Sequence, residues 1–324
     1  MRIAAAGDLV LMRPLRRPYE SLLTCLEGAD LVAANLEVPL TAAESPIRKD
    51  LTLRAGPELI SEVAALGVNV ITLANNHAGD QGWPALRELA LALESRGITV
   101  VGVGEDPAAA FAPRVREGVA FVAATCVAPT PGMAGIRVRT DFEREQRTDT
   151  EPGWPPTIRT SAEEADLARL ESAVREARSR AALVAVLVHW GVSHVTRVEQ
   201  YQRDLARRLV RAGAGVVFGC HAHVMQAVEV IEGVPVFYGL GTLLFHYEGA
   251  EAAIFPRDAC VALVDVSEGR AVAARLVVGR LDAAGEPVRA HPERVELIHE
   301  MLRRSAPRWM VGMSQEGDEL VLLY

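Results

Sequence analysis

The sequence is poor in lysine, and its cysteines are widely spaced. Of the 34 basic residues, only Lys49 is a lysine, and the sequence contains no GK[ST] triplet. A P-loop nucleotide site is therefore excluded, and Lys49 is the one side chain available for Schiff-base chemistry. The four cysteines form no CxxC pair, so the sequence predicts neither a disulfide scaffold nor a thiolate zinc site.

Long apolar runs are also missing. The opening MRIAAAGD is too short for a signal peptide, and the longest apolar run, residues 181–188, is far below the roughly 20 residues that cross a bilayer. We therefore expect no membrane segment and a cytoplasmic location. Acidic residues outnumber basic ones by 42 to 34, and a net charge of −8 disfavours nucleic-acid binding. A polyanion-binding role would need a local exception.

Short runs of Val, Ile and Ala alternate with amphipathic stretches through the first two thirds of the 324 residues. This alternation is typical of a covered sheet whose strands are joined by helices. The predicted buried strands are Arg2–Gly7, Asp30–Leu36, Val68–Ala74, Ile98–Val103, Val119–Thr125, Leu183–Val188 and Gly215–Gly219. The predicted helices are Pro57–Leu66, Trp83–Ser95, Ala162–Arg178, Glu199–Arg211 and Pro292–Arg304, and antiparallel strands are expected after His223.

The segment 129–160 shows no clear helix or strand pattern. It holds five prolines and three glycines, and a loop of this length is usually functional or mobile. We interpret it as a cover for an active site. Its neighbourhood supplies Arg137, Arg139 and Arg159 as candidates for binding a carboxylate or phosphate, although for any single arginine a solvated loop charge is the simpler interpretation.

Residues able to bind a metal follow five of the predicted strands. They are Asp8, Glu37, Asn76 with His77, His189, and His221 with His223. Because the carboxyl ends of parallel strands lie along one edge of a sheet, we expect these side chains to converge. For His221 and His223, alternation along an extended segment would place both rings on one face. A lone histidine is more often a satisfied polar residue, which is our interpretation of His246, His291 and His299.

The convergent residue types predict a centre of two divalent ions. Carboxylate, amide and imidazole ligands together suit Mn, Fe, Zn or Co. Six candidates, Asp8, Glu37, Asn76, His189, His221 and His223, exceed what one tetrahedral ion needs. Two ions bridged by a carboxylate can activate water and stabilise a leaving oxygen, so the pattern favours hydrolysis.

These segments resemble a known family. GDLVLM, NLEVPLT, LANNHAGDQG, HWG and GCHAHVMQAVEVIEGVPVFYGLGTLLF are similar, in order and spacing, to motifs of the CapA family of poly-γ-glutamate synthesis proteins, within the calcineurin-like metallophosphoesterase superfamily. The resemblance covers nearly the whole chain. It implies a four-layer α/β/β/α sandwich, with a catalytic domain over residues 1–285 and a C-terminal helix and tail, 286–324, packing on it.

The resemblance also implies roles for individual residues. Asp8 stands for the first-motif aspartate, Glu37 for the bridging carboxylate and Asn76 for the amide ligand, while His77 protonates a leaving group or stabilises the transition state. The remaining metal ligands are His189, His221 and His223. The chain departs from the family pattern at four positions, which hold Val10, Ser193, Cys220 and Thr242.

The sequence leaves several interpretations open. Asp80 either orients His77 or caps the helix that follows, and Cys220 is a small apolar side chain or, secondarily, a thiolate ligand. We favour a hydrolase in which metal-activated water attacks a phosphoester or a γ-glutamyl or other amide bond of a small molecule or anionic polymer. The alternatives are a non-catalytic accessory protein that binds an anionic polymer or a synthetase, and an amide-forming or lactam-forming enzyme. The oligomeric state is not predicted.

Overall fold

A computed structural model describes residues 1–16, 21–143, 157–248, 255–306 and 308–324. The strands are β1 Arg2–Val10, β2 Leu31–Leu36, β3 Val70–Thr72, β4 Thr99–Val101, β5 Arg114–Arg116, β6 Val119–Thr125, β7 Val138–Glu143, β8 Thr157–Ala162, β9 Leu183–Trp190, β10 Val216–His221, β11 Val228–Ile231, β12 Val234–Phe237, β13 Thr242–Phe245, β14 Asp258–Ser267, β15 Arg270–Leu281, β16 Pro287–Arg289, β17 Gly312–Glu316 and β18 Glu319–Leu323. The helices are α1 Ile60–Ala65, α2 Gly82–Glu94, α3 Pro107–Phe111, α4 Glu164–Arg180, α5 Gln200–Ala212 and α6 Pro292–Ser305.

Two sheets form the centre of the fold. The larger has the order β17-β18-β15-β14-β1-β2-β3-β4, with β13 beside β1 and β16 beside β15. Its strands β13, β1, β2, β3 and β4 run parallel. The smaller sheet has the order β11-β12-β10-β9-β6-β5, and its four central strands are also parallel. Each sheet thus has an edge where the carboxyl ends of several strands meet.

Side-chain alternation along the strands builds the layers. On β1, Ile3 and Ala5 contact a core shared with Phe121 and Phe218 of the smaller sheet, whereas Ala4 faces a second core that includes residues of α1 and α2. Strands β6, β9 and β10 likewise bury their outer faces under α4 and α5. This period-two pattern is what a sheet buried on both faces requires. The predicted four-layer α/β/β/α sandwich is confirmed.

Helix α6 packs at the far end of the larger sheet. Its residues Val295, Ile298 and Leu302 are buried in the core between the sheets, together with Leu320 of β18. The sequence-based boundary at residue 285 stays a prediction.

The segment 129–160 is partly ordered as a hairpin, and the expectation of a structureless loop is wrong for its described part. Strands β7 and β8 pair antiparallel only with each other. The run VRTDFE does alternate Val, Thr and Phe with charged residues, which is a strand pattern, but the prolines, glycines and charges of the whole segment obscured it. Residues 144–156 lie outside the described residues.

The close approach of β1 to the Leu240–Gly241 backbone generates a prediction for Gly7. A Cβ at this position would lie 1.9 Å from the Gly241 carbonyl oxygen. Gly7→Ala must therefore push β1 away from that backbone, and we expect it to lower the free energy of unfolding by about 1–3 kcal/mol in urea denaturation. In the control Gly312→Ala, the new Cβ would meet nothing closer than 3.9 Å. Equal stability of the two variants would contradict this packing.

Candidate metal centre

The predicted ligands converge where the carboxyl edges of the two sheets face each other. Asp8 lies at an irregularity of β1 that shifts its register with both β2 and β13, and this places its carboxylate in the interior. Its Oδ1 accepts a hydrogen bond from Asn35 Nδ2 at 2.7 Å, and its Oδ2 accepts one from the His221 backbone N–H at 3.1 Å. The His223 Nδ1 also lies 3.1 Å from Oδ2. One carboxylate therefore joins both sheets.

Three overlapping groups of side chains have ligand atoms within 4.8 Å of one another. They are Asp8, His189 and Cys220; Glu37, His189 and His221; and Asp8, Glu37 and His223. Asn76 joins them through its Oδ1, which lies 2.7 Å from His189 Nε2. All six residues predicted as metal ligands thus lie in one cluster.

The environment of the Glu37 carboxylate favours binding of a cation. It is buried, and neither of its carboxylate oxygens has a hydrogen-bond partner among the described residues. Burial and the nearby Asp8 carboxylate raise the pKa of Glu37 to about 8. A buried carboxylate without hydrogen bonds is costly unless a positive charge compensates it. The donor set fits the divalent ions that the sequence predicts.

The three histidines respond differently to the same cluster. Burial and the neighbouring imidazoles lower the pKa of His189 well below its ordinary value and that of His221 to about 3. Burial also opposes protonation of His223, but the Glu37 and Asp8 carboxylates outweigh it and raise its pKa to about 9. Burial alone would raise the pKa of Asp8, but the hydrogen bond and charge of His223 keep it below the ordinary value. The cluster thus favours a positive charge beside Asp8 and Glu37.

The backbone at His221 and His223 differs from the expected extended segment. Both residues have positive φ, 91° and 56°, a region that few non-glycine residues adopt and that stores strain at functional sites. Their ring centroids are nevertheless 5.9 Å apart, and that of His189 is 4.6 Å from His221. The rings converge through a left-handed backbone rather than through strand alternation.

His77 is held by a buried network beside the cluster. Its Nδ1 lies 2.7 Å from Asp80 Oδ2, which also accepts the Leu53 N–H at 2.7 Å. Lys49 Nζ donates to Asp80 Oδ1 at 2.9 Å and to the Asn76 carbonyl at 2.5 Å, and lies 3.1 Å from His77 Nδ1. Asp80 makes no cap bond to α2, so its geometry matches the first alternative, in which it orients His77. The contacts of Lys49 with Asp80 and His77 could not be predicted from the sequence, where Lys49 is far from both residues.

A second amide residue fixes the turn that carries His77. The Asn75 Oδ1 accepts hydrogen bonds from the backbone N–H groups of His77 and Ala78 at 3.0 and 2.7 Å. Its Nδ2 donates to Asn35 Oδ1 at 2.9 Å and to the Leu36 carbonyl at 2.8 Å. The ends of β2 and β3 are thereby tied together. Asn35, inside the predicted strand, gave no signal of a site role.

A pocket of about 170 Å³ opens onto the cluster, and we call it the metal pocket. Its lining residues are Val10, Glu37, Leu51, Leu53, Asn76, His77, Ser193, His194, His223, Phe245, Tyr247 and Phe255. None of the described residues 129–143 is among them. The walls come instead from the segment around Leu51 and Leu53 and from the aromatic residues after β13.

Three of the four positions that depart from the family pattern contact the histidine cluster. Ser193 Oγ lies 3.3 Å from His221 Nε2, and Thr242 Oγ1 lies 2.9 Å from His223 Nδ1. Cys220 is buried with its Sγ 3.4 Å from His189 Nδ1, and burial raises the pKa of its thiol well above the usual range. The fourth, Val10, lines the metal pocket.

The predicted substrate-binding arginines are not part of the described centre. Arg137 pairs with Asp166 through its Nε at 2.8 Å, and its guanidinium is 67% exposed. The positions of Arg139 and Arg159 on β7 and β8 are defined, but their side chains lie outside the described residues. A substrate role for Arg137 finds no support in its contacts.

Comparison with known proteins places the chain in a family. The model of the family described as bacterial capsule synthesis protein PGA_cap matches residues 2–247. The chain belongs to this family. All the predicted metal ligands of this PGA_cap protein lie within the matched residues. The resemblance beyond residue 247 stays a prediction.

Several curated proteins are similar to this PGA_cap chain. The PGA biosynthesis protein CapA of Bacillus subtilis is 27% identical over 67% of the chain and 54% of its own length. A probable polyglutamine synthesis accessory protein of Mycobacterium tuberculosis is 31% identical over 75% and 63%, and the capsule biosynthesis protein CapA of Bacillus anthracis is 27% identical over 68% and 51%. The chain thus spans between half and two thirds of these relatives.

A solved structure, that of TT1561 of Thermus thermophilus, aligns with 86% of this PGA_cap chain and 98% of its own, at 15% identity and a TM-score of 0.44. The four-layer sandwich is defined by the packing of the chain's own sheets and helices. Within the described residues, no helix has the length and apolar character needed to cross a membrane.

The unpartnered Glu37 carboxylate generates a prediction about metal content. Replacing a residue around a ligand typically costs about 10–100-fold in metal affinity, so Glu37→Gln, which removes a charged ligand, is expected to lose at least that much. Elemental analysis after dialysis should find metal in the wild type and little in the variant. The control is Glu286→Gln, another fully buried carboxylate outside the cluster. Unchanged metal in Glu37→Gln would contradict the proposed centre.

The Lys49 contacts generate a prediction about stability. Lys49→Met leaves the fully buried Asp80 without its ammonium partner, and we expect a loss of about 2 kcal/mol in the free energy of unfolding of the metal-free protein. Arg54→Met is the control on the same segment. It breaks a surface pair with Glu44 at 3.0 Å, which is worth at most about 1 kcal/mol. Urea denaturation that finds equal losses would contradict the buried network.

Proposed function

We propose that the chain is a metal-dependent hydrolase. The observation that carries the proposal is the Glu37 carboxylate, buried with both oxygens unpartnered among the described residues, beside Asp8 and three histidines. These residues, with Asn76, would hold two divalent ions, and Glu37 would take the role of bridging carboxylate that the family resemblance implies. When bound, such ions polarise a substrate oxygen and lower the pKa of water.

The chain's own residues supply the proton transfer. The carboxylate of Asp80 accepts the Nδ1–H of His77, which leaves Nε2 as the nitrogen available to the metal pocket that His77 lines. Lys49 and the Leu53 N–H both donate to Asp80, so Asp80 and Lys49 act as positioning residues. Hydrolysis of an amide breaks the C–N bond, adds the hydroxyl of water to the carbonyl carbon and delivers a proton to the departing amine. His77 Nε2 holds that proton.

The substrate proposal is a γ-glutamyl amide or another amide, with a phosphoester as the second bond type. The names of the relatives concern capsule, PGA and polyglutamine synthesis, which supports a glutamyl substrate. The metal pocket, about 170 Å³, accommodates the reacting bond and little more. A polymer would therefore have most of its length outside this pocket.

A second candidate function is a non-catalytic accessory protein. The Mycobacterium tuberculosis relative is named an accessory protein, and a metal cluster can stabilise a fold without turning over a substrate. In this alternative the chain binds an anionic polymer or a synthetase, and the ions serve structure. Metal-loaded protein with no turnover across phosphodiester and γ-glutamyl substrates would favour it.

The hydrolase proposal predicts a selective loss in His77→Gln. Removing a general acid costs about 10²–10⁴-fold in rate, so we expect kcat to fall by that range while metal content stays at the wild-type level. Steady-state kinetics on a γ-glutamyl anilide and on a phosphodiester, with elemental analysis of the same samples, measures both. The control is His291→Gln at the exposed start of α6. Turnover that survives in His77→Gln would overturn the role of His77.

A further inference from the structure

A second cavity, of about 450 Å³, lies beside the metal pocket. The two cavities share the aromatic side chains of Phe245, Tyr247 and Phe255. Ligand sites typically measure roughly 300–1,000 Å³, a range that the metal pocket does not reach and the second cavity does. A substrate whose reacting bond lies in the metal pocket therefore has room for its remaining length in the second cavity.

The charges that line this second cavity have the opposite sign to the whole chain. Its charged lining residues are Arg13, Arg16, Arg257 and Glu248, which gives three guanidinium groups against one carboxylate. We call it the arginine cleft. The chain carries a net charge of −8. The Asp282 and Glu286 carboxylates lie 3.5 and 3.3 Å from Arg16 and Arg13 and offset part of the positive charge, so the excess is confined to the residues that line the cleft.

Two of these guanidinium groups are held in place by hydrogen bonds to backbone carbonyls. Arg13 Nη2 donates to the Ala284 carbonyl at 2.5 Å, and its Nη1 lies 3.3 Å from the buried Glu286 carboxylate. Arg257 donates from Nη1 to the Asp282 carbonyl at 2.6 Å, the one hydrogen bond that its guanidinium makes among the described residues. A guanidinium has five N–H donors, so donors remain for a ligand, and their orientation is set in advance.

The third guanidinium is more exposed. The Arg16 side chain is 58% exposed, and its Nη2 lies 3.5 Å from Asp282 Oδ2. Its backbone N–H donates to Glu286 Oε1 at 3.2 Å, which anchors the residue at the cleft. Since an exposed ion pair of this kind contributes at most about 1 kcal/mol, an anionic ligand can compete for Arg16.

A buried imidazole in the cleft wall also has no hydrogen-bond partner among the described residues. His246 lines the cleft and is 5% exposed, and neither ring nitrogen has a hydrogen-bond partner among the described residues. Its Nε2 lies 3.3 Å from Glu286 Oε1 without forming a hydrogen bond. Among the described residues, the His246 ring thus has the Glu286 carboxylate at ion-pair distance but no hydrogen bond, and the expectation of a satisfied polar residue stays a prediction. Buried polar groups are normally paired, so this ring has capacity for a ligand.

We propose that the arginine cleft binds carboxylate groups of a glutamyl chain whose scissile bond reaches the metal pocket. The identity of that chain rests on the proposed function. Arginine forks match carboxylates in two parallel hydrogen bonds, and three separately anchored guanidinium groups suit a polymer that carries one free carboxylate on each unit. The cleft thus determines that the substrate is an anionic chain rather than a single small ester.

The test is direct binding of a short γ-linked glutamate oligomer to the metal-loaded full chain by titration calorimetry. Arg16→Gln and Arg257→Gln each remove one guanidinium, and each is expected to weaken binding about tenfold, equivalent to one charge-assisted contact of about 1.4 kcal/mol. The control is Arg87→Gln. Arg87 pairs with Glu105 at 3.1 Å and lines neither cavity, and its variant should bind as the wild type does. Thermal unfolding confirms that each variant is folded.

Two results would overturn the proposal. One is wild-type affinity for the oligomer in both Arg16→Gln and Arg257→Gln. The other is inorganic polyphosphate that displaces the oligomer with equal affinity, because this would remove the assignment to carboxylates.

The binding assay is independent of turnover, so the two proposals fail separately. If binding depends on Arg16 and Arg257 but the protein hydrolyses no substrate, the arginine-cleft proposal stands and the hydrolase proposal fails. If the protein hydrolyses a short γ-glutamyl substrate but the variants bind the oligomer as the wild type does, the hydrolase proposal stands and the arginine-cleft proposal fails.

Discussion

Two buried carboxylates, Asp8 and Glu37, face each other where the carboxyl edges of two sheets meet, and the surrounding structure compensates their charge. Asp8 is bound by Asn35 and by the His221 backbone, and it lies against the His223 ring. Glu37 has no such hydrogen bonds among the described residues. Burying two like charges within 4.8 Å of each other is unfavourable unless a cation compensates them. The positive φ at His221 and the register shift in β1 are local costs of bringing ligands to this point.

The same constraint connects the centre to its surroundings. The turn after β3 supplies both Asn76, which contacts His189, and His77, which Asp80 and Lys49 hold. One short segment thus carries both Asn76, a candidate metal ligand, and His77, the proposed proton donor. On the other side, Phe245, Tyr247 and Phe255 line both the metal pocket and the arginine cleft. The proposed reaction and the proposed binding of a longer substrate thus involve two adjacent cavities.

Much of the fold and most of the cluster could be predicted from sequence, because both depend on short-range patterns. Strand β6 matches its predicted bounds, and a polar residue after a buried apolar run identifies the carboxyl end of a strand. Features that depend on long-range packing could not be predicted. The contacts of Lys49 with Asp80 and the arginine cleft arise only when residues far apart in the chain meet. The hairpin β7–β8 was missed because the prolines, glycines and charges of the segment 129–160 are typical of a loop.

The central claim is that bound metal ions compensate the charges of the Asp8 and Glu37 carboxylates. Anomalous diffraction from crystals of manganese-loaded protein measures this directly. We expect two anomalous peaks, with Glu37 contacting both and with Asp8, Asn76 and the three histidines distributed around them. A structure from manganese-saturated crystals with no peak within bonding distance of Glu37, its oxygens instead bonded to protein groups, would contradict the account.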